Sequence, residues 1–113
     1  IINPSYADSH ADLILRFTKA LYKSKDYRAQ EANYEQISKW VAKQVGLDYE
    51  TVYSQREDAS WITSEELVNM INDGTLEKYY KVQQDNFIAA GAVTDEVPVS
   101  DYVMFQNMLD AAK

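Results

Sequence analysis

Apolar side chains recur along this chain at three- and four-residue steps, and no stretch of useful length alternates with the two-residue period of a strand. Asn3 and Pro4 suit the cap and first position of a short helical turn, with Tyr6 as its apolar anchor. Ser9, followed by Asp12, reads as the cap of a long helix over about His10 to Ala29. Leu13, Ile14, Phe17, Ala20, Leu21 and Ser24 form its inward face. A second helix covers roughly Ala32 to Val45, with Tyr34, Ile37, Trp40, Val41 and Val45 as its stripe. Gly46 ends it and Leu47 packs back onto it. Asp48 caps a third, shorter helix that turns Val52 and Tyr53 inward.

The strongest local signal is Ser60–Leu67. Thr63 and Glu66 form a T-x-x-E capping box, in which the hydroxyl accepts from the Glu66 N–H and the carboxylate from the Thr63 N–H. The fourth helix carries Leu67, Val68, Met70 and Ile71 and stops at Asn72–Asp73–Gly74. Thr75 restarts a fifth, whose stripe is Leu76, Tyr79, Tyr80, Gln83, Phe87 and Ala90, and Gly91 ends it. Ala92 to Val99 reads as an extended loop, since the residue before Pro98 avoids the α region. Ser100 caps the last helix, with Tyr102, Phe105, Met108 and Leu109 on its apolar side. The pattern therefore predicts one compact all-α piece of about six helices.

Composition narrows the function. The 113 residues suffice for one domain with one core, and only 3 Gly and 2 Pro favour helices over a turn-rich β-fold. A formal charge of −7 repels phosphate backbones and argues against nucleic acid as a partner. The absence of cysteine excludes disulfides, thiolate catalysis and cysteine-ligated metal sites. No apolar run approaches the length of a membrane span. The chain opens on Ile1–Ile2 without a methionine, which reads as the end of a strand in a piece of something longer.

No catalytic motif is present, and the expectation is a non-enzyme with no cofactor and no metal. His10, beside Asp8 and Asp12, is the single histidine, a base or ligand in principle and a solvent-facing first-turn residue in the simpler reading. Asp48–Glu50 and Asp95–Glu96 are acidic pairs that caps and a loop already explain. The 9 tyrosines, spread over every helix, mark either core edges or an interface. Trp40 sits in a helical stripe and reads as core. Trp61 lies at a junction outside regular helix, where it either plugs a gap between helices or lines a ligand cleft.

Taken in series, several stretches resemble the C-terminal part of substrate-binding proteins of ABC importers, of the nitrate/sulfonate/taurine and thiamine-pyrimidine-precursor type. They are Asn3–Ile14, Phe17–Leu21, Trp40–Asp48, Trp61–Leu67, and Gly91–Val93 followed by Val97–Asp101. The resemblance covers nearly the whole chain. It departs from the family at Asn72–Thr75, which interrupts a helix usually continuous there. It implies the C-terminal portion of a type II periplasmic-binding-protein α/β fold, a two-lobed protein that closes over a small solute and delivers it to a membrane permease. The location it implies is extracytoplasmic, in the periplasm or anchored as a lipoprotein on the outer face of the membrane. It further implies that an apolar face of the chain is covered by N-terminal lobes, or is exposed or buried by another copy. Trp61 is the one residue it places near the solute. The alternative is an independent helical domain that binds a partner protein.

Overall fold

The computed structural model describes residues 2–113, and among these every regular element is helical. Ile1 lies outside them, so the reading of a strand end there has no counterpart; Ile2 belongs to no regular element. Seven α-helices follow one another in one compact piece: α1 Pro4–Ser9, α2 Ala11–Arg28, α3 Tyr34–Val45, α4 Tyr49–Ser54, α5 Ser64–Asn72, α6 Thr75–Ala89 and α7 Phe105–Ala111. Short 3-10 turns, Glu31–Asn33 and Val99–Asp101, precede α3 and α7.

Most caps lie where their side-chain chemistry predicts. Asn3 accepts from the Tyr6 N–H, and Asp48 accepts from the Thr51 N–H at 2.8 Å. Both halves of the Thr63–Glu66 capping box are made. Gly46 adopts φ +72°, a left-handed conformation strained for any residue with a Cβ, and this ends α3. Two caps differ from expectation. The Ser9 hydroxyl donates back to the carbonyls of Ser5 and Tyr6 inside α1, so the cap position of α2 falls to His10, which makes no side-chain cap bond. Ser100 lies within the 3-10 turn Val99–Asp101, which follows an extended Pro98, and α7 begins only at Phe105.

Helix α2 is the spine. It packs chiefly against α7 and also against α5, while α5 packs on α6. Tyr22, Leu67 and Ala111 meet at the centre, flanked by Leu15, Ile62, Leu76 and Met108. Helices α3 and α4 form an outlying hairpin that pairs mainly with itself. The core is shallow, with no large side chain among the described residues fully buried.

The faces turned inward differ from those predicted. Helix α2 buries Ile14 and Tyr22, whereas Leu13, Phe17 and Leu21 stand 40%, 56% and 51% exposed. At 100° per residue the buried face centres roughly a third of a turn from the apolar stripe. The inward face is the one that packs on α7, where the Thr18 hydroxyl donates to the Asn107 side chain at 2.8 Å. On α3, Ser38 and Ala42 are buried, while Trp40 and Val45 are exposed. Trp40 lies on the other side of α3 from these small residues, with its ring stacked on Tyr27. Leu47 is exposed and does not close the end of α3; Tyr6 is exposed and Ala7 is the buried residue of α1.

Candidate functional site around Trp61

Trp61 sits on the seam between the spine and the α3–α4 hairpin. Between α4 and α5, Asp58–Ala59–Ser60 carry the chain across. Two contacts fix the indole. Its Nε1–H donates to the Arg56 carbonyl at 2.9 Å, and the guanidinium of Arg28, from the end of α2, lies over its ring at 3.6 Å. A cation over an indole face is attracted by the ring quadrupole, worth about 0.5–2 kcal/mol depending on exposure. Trp61 thus packs between elements and also lines an open space.

That space is a cavity of about 290 Å³. Tyr34, Ile37 and Val41 of α3 and Val52 of α4 supply an apolar wall, and Arg28, Arg56 and Asp58 supply the charges. Ser38, one of the few buried polar residues, and Gln55 add neutral hydrogen-bonding groups. Arg56 donates to the Tyr53 carbonyl at 3.0 Å and pairs with the exposed Glu57 at 3.3 Å. The Nε of Arg28 is buried and has no hydrogen-bond partner. In a chain of net charge −7, the pocket gathers two guanidiniums, one of them paired with Glu57, beside the Asp58 carboxylate. Aromatic and aliphatic walls with a few convergent polar groups are what small-molecule sites are made of.

No protein-family model, curated protein or solved structure matches the chain.

Beside the cavity, the start of α5 is tied to the spine. The Asp26 carboxylate accepts from the Ser64 N–H and from the Ser64 hydroxyl, both at 2.6 Å. Together with the capping box this satisfies Thr63, Ser64 and Glu66, and it places two carboxylates at the positive end of the helix dipole. The Thr63 N–H, and then its hydroxyl, hold the Glu66 carboxyl below the usual glutamate range. Burial lowers the Lys25 ammonium, against the pull of Asp26 and Glu66, and burial beside Asp26 raises the Tyr22 hydroxyl.

Other residues singled out by type stay apart. His10 is exposed, stacked on Tyr6 at 4.0 Å, with Nδ1 within 3.0 Å of the Tyr6 carbonyl. Among the described residues no three histidine or acidic side chains converge as metal ligands would. Asp48 works as a cap, and Glu96 pairs with Lys81 at 2.6 Å. Sequence reasoning missed Arg28, Arg56 and Asp26. Arg28 ends a helix in which Lys and Arg are frequent, and nothing local distinguishes it from its solvated neighbours.

Proposed function

We propose that the chain is the C-terminal part of the two-lobed solute-binding component of an ABC importer, a non-catalytic protein that takes a small organic solute of sulfonate, nitrate-like or thiamine-pyrimidine-precursor type and passes it to a permease outside the cytoplasm. The observation that carries this reading is the cavity in which the guanidiniums of Arg28 and Arg56 share a wall with the Trp61 ring. Guanidinium forks suit oxyanion heads of planar or tetrahedral geometry, and the rings of Trp61 and Tyr34 suit a flat body. Support comes also from the series of stretches resembling that family, Trp61–Leu67 among them.

The test uses intrinsic fluorescence in a Trp40→Phe background, so that Trp61 alone reports. Titration with alkyl and aryl sulfonates, nitrate and phosphorylated pyrimidines should give saturable quenching for one class. Arg28→Ala should weaken that binding at least tenfold while the circular dichroism spectrum is kept. A flat response across the panel, or affinity unchanged from the unmodified chain in both Arg28→Ala and Arg56→Ala, would remove the reading. A second reading, a helical domain that binds a partner protein, is favoured by one different observation: the exposure of Phe17, Leu21 and Trp40 on neighbouring surfaces.

A further inference from the structure

The apolar face of α2 is ordered by position as well as by hydrophobicity. Leu13, Phe17 and Leu21 stand one helical turn apart on a single line, all exposed. The spacing is symmetric about Phe17. Laid antiparallel against itself with Phe17 on the axis, the helix sets Leu13 of one copy against Leu21 of the other, and the reverse. That self-complementarity is the requirement of a twofold interface, in which one patch meets its own copy. The charges of α2 lie off this line: Asp12 and Lys23 sit roughly a third of a turn or more round the helix from Phe17, and Arg16 is paired with Asp12 at 3.1 Å.

The surface area points the same way. The chain exposes 8342 Å², where a self-sufficient domain of 13.0 kDa exposes about 6,300 Å². The difference, about 2,000 Å², is spread over the whole chain, the α2 face included, and leaves room for the roughly 800 Å² that each partner contributes to a stable interface. We infer that the Leu13–Phe17–Leu21 face of α2 docks a second copy of this chain, antiparallel, about a twofold axis at Phe17. This inference is independent of the solute cavity, which lies on the seam with the α3–α4 hairpin.

The chain has no cysteine, so introduced thiols can pair only with one another. Under mild oxidation Phe17→Cys should give a disulfide dimer. Leu13→Cys alone should not, because its two copies lie about 12 Å apart along the axis. An equimolar mixture of Leu13→Cys and Leu21→Cys, one of them carrying a mass tag, should give the mixed dimer in excess over either self-pair. Sedimentation velocity should show a dimer for the unmodified chain and a monomer for Phe17→Glu, with unchanged helicity because Phe17 is exposed. A monomer at every concentration overturns the inference, as does binding of this face to some other protein without self-association. Self-pairs of Leu13→Cys overturn the antiparallel register.

Discussion

Asp26 ties the spine to the capping-box helix through one carboxylate that takes both a backbone and a side-chain proton of Ser64. The group is partly buried, and hydrogen bonds to a charged acceptor contribute about 1.5–3 kcal/mol. Asp26→Ala is therefore expected to cost about that much in urea unfolding, with Asp26→Asn recovering part of it because the amide oxygen still accepts. An equal loss in both variants would mean that charge at the helix start, and not the hydrogen bonds, carries the effect. Gln84 has a similar role elsewhere. Its amide accepts from the Val97 N–H at 2.9 Å and donates to the Val97 carbonyl at 3.0 Å, which pins the loop before Pro98 to α6. Two net bonds of about 0.5–1.5 kcal/mol each put the cost of Gln84→Ala near 1–3 kcal/mol. Hydrogen exchange at the Val97 amide should quicken in that variant. Gln84→Glu should not restore protection fully, since a carboxylate turns a lone pair toward the Val97 carbonyl.

At the scale of elements, helix starts and stops set the response to acid. Hydrogen bonds hold the carboxyls of Glu66, Asp48, Asp73 and Asp110 below their ordinary values, with Thr63, Thr51, Thr75 and Lys113 as the respective first causes. A carboxyl depressed in the folded state binds its proton first in the unfolded chain, so it stabilises the fold above its unfolded pKa. That contribution is lost as pH falls through the folded value. Melting temperature should therefore decline as pH drops below the ordinary 4.5 of glutamate and 3.8 of aspartate. The decline should be shallower in Glu66→Gln, which cannot titrate. Matching slopes in the two proteins would show that the Glu66 half of the box adds nothing. Glu66, Asp48 and Asp73 are exposed and Asp110 is half-buried, so solvent screens each of them and the effect is the sum of several small ones.

For the whole molecule, the radius of gyration is 16.9 Å, against about 13 Å for a self-contained domain of this length. The helices are in place, yet the layer that would cover Leu13, Phe17 and Leu21 is not supplied by the chain itself. A helix buries its apolar stripe or leaves it in water at a cost of about 25 cal/mol per Å². A second copy removes that cost in the arrangement inferred above. Stability should accordingly rise with protein concentration in the unmodified chain and stay constant in Phe17→Glu, as thermal melts over a dilution series would record.

Local chemistry was enough for the elements. The Thr63–Glu66 box, the Asp48 cap, the Gly46 stop and the Asn72–Gly74 break depend on residues within one turn of each other, so their hydrogen bonds can be read from spacing alone. The rotation of each helix about its axis could not be read that way. Leu13, Phe17 and Leu21 look like a core face because periodicity reports which side is apolar, not which side has a neighbour. Packing against α7, where Thr18 meets Asn107, 89 residues away, buries Ile14 and Tyr22 in their place. Trp61 was legible as a junction residue. The guanidiniums beside it were not, for Arg28 and Arg56 lie 33 and 5 residues from it and meet its ring and cavity only once α2 and the α3–α4 hairpin close on the same seam. Sequence fixes what short-range hydrogen bonds and steric limits decide; packing between distant helices alone chose which faces, and which charges, came together.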